Sequence, residues 1–318
     1  MVTPKKFALL AAFAALYLIW GSTYLAIRFA IDTIPPFLMA GTRFLIAGAI
    51  MYGIAYARGA RCSSLAEWKT SWIMGACLLL GGNGGVTIAE QYVPSGLASV
   101  MVATVPIYIA LLGWGMGIAP KPRPIIWLGL AGGFIGVAIL VAPALRFASG
   151  PGKHPEIGML ILLGSSFLWS LGSIYSRIGK SAASPILATA QQMLCGGFLL
   201  LIAGLSTGEL PRVKIQNVSW LSIGSFVYLI LIGAIIGYTA YTWLLRHCAP
   251  AKVATYAYVN PIVAVLLGAA FAHETLSARA ILAAGLIIGS VALVITVQQT
   301  QSRTSPALPP VVATADVI

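Results

Sequence analysis

Two charged residues of this sequence stand inside long apolar stretches. There an arginine at a helix centre costs roughly 2.5–3.5 kcal/mol to insert. Arg43 lies within the stretch 35–56, and Glu90 lies near the end of the stretch 70–92. Both must face protein rather than lipid. Glu90 fits either of two chemistries. It could couple protons or help bind a solute, or it could form a structural ion pair with Arg43 that holds two helices together. Asn83, Thr87 and Glu90 fall at i, i+4 and i+7, on one helical face. A single asparagine in such a stretch is often interhelical glue, whereas three polar groups on one face read as a cavity lining.

The aromatic residues form a second group. Trp68, Trp72, Trp127 and Trp220 fall near the ends of apolar stretches, as tryptophans of an interfacial belt do. Trp20 and Trp169 fall near the middle, where a belt does not explain them. They are expected to wall a cavity that stacks aromatic or apolar solutes, or cations. Tyr24, Ser173, Gln192, Tyr238, Tyr256 and Asn260 complete the expected lining, with Asn83, Thr87 and Glu90. Pro106 and Pro261 each remove a backbone donor within a helix, which makes either a hinge or a static bend. The pairs Gly132/Gly136 and Gly285/Gly289 read as close-packing faces, within the chain or in a homodimer.

Several chemistries are excluded. The run Gly81, Gly82, Gly84 and Gly85 follows no strand and precedes no lysine, so it is not a phosphate loop. No nucleotide-hydrolysis motif occurs. His154, His247 and His273 are scattered, and neither a metal site nor a cofactor is expected. The net charge of +12 lies mostly between apolar stretches, with no basic stripe or zinc spacing, so nucleic-acid binding is not expected.

The elements that position these residues follow from composition. Only 8% of the residues are charged, against about 25% in soluble domains. A water-facing surface cannot be built from that, so an all-α integral membrane protein is predicted. Apolar stretches near 7–28, 35–56, 70–92, 94–118, 124–145, 157–178, 184–205, 218–244, 250–272 and 277–298 predict ten spanning helices. Pro36, Pro94, Pro124, Pro185 and Pro250 stand at first turns, where proline is tolerated. With the N-terminus inside, about twice as many Lys and Arg residues fall inside as outside, so both termini are expected in the cytoplasm of a plasma (inner) membrane. Cys62 and Cys248 then lie in cytoplasmic loops, and no disulfide framework is expected. Residues 299–318 are polar and contain the run SPALPP, and they are expected to be disordered.

The loop RFASGPGKHPE divides the chain into halves, 1–145 and 157–298. Gly21-Ser22-Thr23-Tyr24 answers Gly172-Ser173-Ile174-Tyr175, and Pro36 with Arg43-Phe44 answers Pro185 with Gln192-Met193. Pro94 and Pro106 answer Pro250 and Pro261, and the two Gly-x-x-x-Gly pairs also correspond. Five spans is an odd number, so the second copy must insert upside down. Inverted repeats are an architecture of secondary transporters, with the substrate site near the midplane.

The stretches WGSTYLAIRFA, PPFLMAGTRF, AEQYVPSGLASVMVATVP and ATYAYVNPIVAVLLGAAFAHE resemble the EamA-like transporters of the drug/metabolite transporter superfamily. The resemblance covers all ten predicted spans. It implies two inverted five-helix halves, a central cavity, and export of metabolites or amphipathic compounds. One departure stands out. Similar proteins often carry a glutamate just after the fourth span, as Glu274 follows the ninth here, but this sequence has Ala119. The functional expectation is therefore a secondary carrier in the lipid bilayer, exporting amino acids, related metabolites or amphipathic drugs. A facilitative uniporter or channel is the alternative, and a membrane enzyme would need convergent acids and bases that the sequence lacks.

Overall fold

The structure is a computed structural model and describes residues 6–93, 95–147, 154–271 and 278–304. Among the described residues it is all-helical, with no strand. In chain order the helices are α1 (Lys6–Ala30), α2 (Pro36–Ala57), α3 (Leu65–Ala89), α4 (Ser95–Val102), α5 (Val105–Gly115) and α6 (Pro124–Phe147). Then follow α7 (Pro155–Tyr175), α8 (Pro185–Ser206), α9 (Trp220–His247), α10 (Pro250–Val253), α11 (Tyr256–Phe271) and α12 (Ala278–Thr304). Helix occupies every apolar stretch expected to be helical. By length and composition α1, α2, α3, α7, α8 and α9 could each cross a membrane.

Local chemistry explains the ends. Proline stands in the first turn of α2, α7, α8 and α10, where its missing N–H costs nothing. Ser64 opens α3 with a capping box. Its hydroxyl accepts from the Glu67 N–H, and the Glu67 carboxylate accepts from the Ser64 N–H at 2.8 Å. The N-terminus of α2 has an unusual cap from far along the chain. Both carboxylate oxygens of Glu209, buried after α8, accept from α2, from the Phe37 N–H at 3.1 Å and the Leu38 N–H at 2.9 Å.

Three departures from expectation concern helix phase and continuity. Residues 75–84 of α3 and 229–238 of α9 form π-helix, at matched places in the two halves. The expected span 94–118 is broken at Ala103-Thr104, and the span 250–272 is broken at Ala254-Thr255. Both breaks occur in the same tripeptide, Val-Ala-Thr. In each the threonine hydroxyl donates to the carbonyl three residues back, Met101 at 2.7 Å and Lys252 at 2.8 Å, and competes with the helical ladder. Finally, α12 runs on to Thr304, so residues 299–304 are helical where disorder was expected.

The densest packing joins α2 with α8, α3 with α7 and α6 with α12, the first and last of which are pairs of corresponding helices. Around α1 lie α9 and α11, and α7 lies against α3, α4 and α5. Gly132 and Gly136 face α12, where an added Cβ would meet Ser290 and Ile287. Gly285 and Gly289 are exposed, and among the described residues nothing lies within 4 Å of an added Cβ at either. The outer surface carries exposed Leu10, Leu128, Leu160, Leu282 and Ile288. So apolar an exterior matches lipid better than water.

Candidate functional site

A cavity opens in the middle of the bundle, between the two halves. Its walls are Trp20, Thr23, Tyr24 and Ile27 of α1, Arg43 and Phe44 of α2, and Leu79, Gly82, Asn83 and Val86 of α3. From the second half come Ser165, Ser166 and Trp169 of α7, Gly233 and Tyr238 of α9, and Tyr256 and Asn260 of α11. Val102 and Val105, on either side of the first helix break, also reach it.

The aromatic side of the cavity is one continuous cluster. Trp20 and Trp169 meet edge to face with ring centroids 5.3 Å apart. Tyr256 meets Trp20 edge to face at 4.9 Å, and Tyr241 touches both tryptophans, at 5.0 and 5.2 Å. Such pairs are worth about 0.5–1.5 kcal/mol each beyond the area they bury. Each tryptophan also sits on a glycine of the opposite half. A Cβ at Gly82 would lie 2.5 Å from Trp169 Cε3, and one at Gly237 would lie 2.7 Å from Trp20 Nε1. Both glycines belong to the π segments. Only a residue without a side chain lets an indole lie that close to the backbone.

Toward the end of the bundle that carries the start of α1, side-chain hydroxyls join neighbouring helices. Tyr17 and Thr255 hydroxyls pair at 2.7 Å, Ser173 and Tyr241 hydroxyls at 2.5 Å, and Thr189 and Thr242 hydroxyls at 2.8 Å. Arg177 Nη1 donates to the Leu245 carbonyl at 3.2 Å. Towards the other end Arg28 Nη1 donates to the Glu90 carbonyl at 2.8 Å. The two arginines occupy related places, each near the end of the first helix of its half and each held by a carbonyl near the end of the third.

Of the expected lining, Trp20, Tyr24, Asn83, Trp169, Tyr238, Tyr256 and Asn260 reach the cavity. Thr87, Glu90, Ser173 and Gln192 do not. The Thr87 hydroxyl turns back to the Asn83 carbonyl at 2.9 Å. Ser173 and Gln192 stand behind the wall and hold its tyrosines, since Tyr238 donates to Gln192 Oε1 at 3.0 Å and Ser173 pairs with Tyr241. The expected Arg43–Glu90 ion pair is replaced by another contact. Arg43 Nη2 donates to Asn83 Oδ1, in the last third of α3, while Glu90 lies two turns on. Both Glu90 carboxyl oxygens are buried without a hydrogen-bond partner.

The proline positions also resolve differently. Pro106 is the second residue of α5, just beyond the break, where a missing N–H is harmless. Pro261 lies inside α11, past its own break. Glu274 and His273 lie outside the described residues. Sequence reasoning missed Thr23, Phe44, Gly82, Ser165 and Gly233 as lining. Gly82 had a signal, since it sits within a glycine run beside Asn83; the others are ordinary apolar or small residues whose facing no local pattern gives. Among the described residues no group of His, Cys, Asp or Glu is placed to hold a metal ion.

Comparison with known proteins gives a consistent picture. The model of the EamA-like transporter family matches residues 6–142 and again residues 156–296. The "Uncharacterized inner membrane transporter YedA" of Escherichia coli (strain K12) is 40% identical over 289 residues, 90% of each chain. The "Uncharacterized transporter YvbV" of Bacillus subtilis (strain 168) is 28% identical over 302 residues, 94% of each chain. A solved crystal structure, 20% identical, superposes with a TM-score of 0.71 and covers 93% of this chain and 100% of its own, a likeness of fold.

Proposed function

We propose, for a chain that belongs to the EamA-like transporter family, that it is a secondary carrier of small solutes across an inner membrane. In this reading ten spans form two inverted five-helix halves, 1–145 and 157–298, with both termini in the cytoplasm. The observation that carries it is the cavity walled jointly by the halves and centred on the Trp20–Trp169 contact. A site shared by two repeats at mid-depth is where alternating access needs its substrate.

The matched helix breaks support the motion. Neither Ala103-Thr104 nor Ala254-Thr255 continues its helix, so α4 can swing on α5 and α10 on α11 at little cost in backbone hydrogen bonds. Pro106 and Pro261 are the proposed hinge residues, Pro106 two residues past its break and Pro261 six residues past its own. The hydrogen bonds among Tyr17, Thr255, Ser173, Tyr241, Thr189 and Thr242 close the cytoplasmic end, and they must part for solute to pass that way.

Export is the direction that the family resemblance suggests, and amino acids, related metabolites or amphipathic drugs are the range that the aromatic walls favour. Glu90 is the group proposed to couple protons, because it is buried, its carboxyl oxygens make no hydrogen bond, and Arg28 and Arg43 act on its charge. A facilitative uniporter would need no such group. The test is the extracellular metabolite profile of cells expressing wild type, Trp20→Ala or Glu90→Gln at equal protein level. A compound enriched outside wild-type cells and lost with Trp20→Ala supports the carrier and its cavity. Full pH-gradient-driven export by Glu90→Gln rejects the coupling role, and no enrichment by wild type counts against export.

A further inference from the structure

Two hydroxyls reach across the bundle, each to the helix break of the opposite half. Tyr17 stands three residues before Trp20 on α1, and Ser166 stands three residues before Trp169 on α7. The Tyr17 hydroxyl pairs with the Thr255 hydroxyl at 2.7 Å, at the break between α10 and α11. The Ser166 hydroxyl donates to the Met101 carbonyl at 3.4 Å, at the break between α4 and α5. Met101 also accepts from the Thr104 hydroxyl, so Ser166 joins the bond that caps that break. A neighbour one turn away widens each grip. Lys252 Nζ lies 5.5 Å from the Phe13 ring centroid, and Ser170 donates to the Val105 carbonyl at 3.3 Å. The first helix of each half thus holds the broken span of the other.

The two grips differ in length and in surroundings. From Trp20 the cavity wall continues along α1 only toward its end, through Thr23, Tyr24 and Ile27. From Trp169 it continues along α7 only toward its start, through Ser166 and Ser165. Both directions lead to one end of the bundle. There a Cβ at Gly158, in the first turn of α7, would meet Tyr92 and Val93 just past α3, and Arg28 near the end of α1 donates to the Glu90 carbonyl. Ser166 therefore lies on the cavity side of the tryptophans, and its bond is longer than the usual O–H···O range of about 2.5–3.0 Å. Tyr17 lies on the other side of them, and its bond has the usual length.

We infer that Tyr17 and Ser166 are paired gate-positioning residues, whose grips on the two breaks are made in alternation as the carrier changes the side it faces. The inference rests on the carrier reading above and goes beyond it. A span broken at Ala-Thr bends easily, so its angle is set by what holds the break. Here the Tyr17 grip is closed and the Ser166 grip is slack. Opening the end that carries the start of α1 takes Thr255 away from Tyr17. Because the halves are inverted copies, the counterpart of that step is a tightening of Ser166 on Met101 at the other end. Each hydroxyl favours one state over the other only by the bond it makes in that state. Both act through the break they hold rather than through contact with solute.

The test is amide hydrogen exchange of the full chain in lipid nanodiscs, read separately at segments 101–107 and 252–258, which contain the two breaks. Tyr17→Phe deletes the tight grip. It is expected to raise exchange at 252–258 by about two- to tenfold, the span of one net hydrogen bond, and to lower it at 101–107. Thr255→Val should act in the same sense, and adding Tyr17→Phe to it should change nothing further. Thr255→Ser keeps a hydroxyl and should stay near wild type. Ser166→Ala should do the opposite of Tyr17→Phe, raising exchange at 101–107 and lowering it at 252–258. A contact that only packs two helices together would not move the distant segment. For either Tyr17→Phe or Ser166→Ala, a change confined to the segment it touches, a change of the same sense in both segments, or no change in either overturns the inference. Export in the metabolite profile together with one-sided exchange would sink the alternation and leave the carrier standing. Reciprocal exchange with no metabolite enriched outside the cells would do the reverse.

Discussion

Trp20 of the first half and Trp169 of the second meet edge to face, 5.3 Å between ring centroids, and each indole rests on a glycine of the opposite half. The arrangement is reciprocal, with Trp20 over Gly237 and Trp169 over Gly82. It locks the halves together where the cavity begins, and it makes the two π segments part of the site. π-Helical turns are uncommon and recur at functional places in helices.

Gly82→Leu and Gly237→Leu should each push a tryptophan out of its seat. Overpacking of this kind costs about 1–3 kcal/mol. The expected result is a lower melting temperature in detergent and loss of export, with Gly53→Leu, where nothing lies within 4 Å of an added Cβ, close to wild type. Equal behaviour of all three variants would remove the seating argument.

Asn83→Ala should strip Arg43 of its hydrogen-bond acceptor and leave Nη2 unpaired beside the already unpaired Nε. The cost should be about 1–3 kcal/mol. Thermal unfolding of purified protein measures it. A neutral result would mean that water enters the cavity and satisfies the guanidinium.

Glu209→Ala should free the Phe37 and Leu38 N–H groups that the buried carboxylate now accepts. A lost cap typically costs about 0.5–2 kcal/mol, and the burial of Glu209 places this one toward the upper end. Glu209→Gln keeps one acceptor oxygen and should fall between wild type and Glu209→Ala in melting temperature.

Membrane orientation gives a prediction at exposed Cys62, between α2 and α3. With both termini in the cytoplasm, a membrane-impermeant maleimide should label Cys62 only after cells are permeabilised. A Gln216→Cys variant, in the exposed turn Ile215–Asn217 between α8 and α9, should be labelled in intact cells. The opposite pattern would invert the topology and, with it, the side on which the hydrogen bonds around Tyr241 close the cavity.

Much was legible in the sequence because hydrophobic character is a local property. Apolar runs and their prolines predicted where the helices lie, and matched short motifs predicted two related halves. Trp20 and Trp169 stood out because mid-stretch tryptophans lack an interfacial explanation. The stripe Asn83, Thr87 and Glu90 was also a sound periodicity, yet only Asn83 reaches the cavity. Residues on one face still differ in depth along the helix, and the cavity occupies a limited depth. Arg43 likewise could be read as buried but not as bound to Asn83 rather than Glu90, because that choice depends on where α2 crosses α3.

By itself the sequence determined that this is a helical membrane protein of two corresponding halves with aromatic and polar groups inside its bundle. Those features follow from the cost of polar surface in lipid and from residue order alone. Tertiary structure decided which groups converge, how the helix phase shifts through the π segments, and what remains unpaired. Convergence depends on contacts between residues far apart in the chain, such as Trp20 with Gly237 and Phe37 with Glu209. Helix phase through a π segment depends on the neighbouring helices that make i→i+5 bonding acceptable. No local pattern encodes either, which is why the cavity and the Arg43–Asn83 contact on its wall became visible only once the helices were packed.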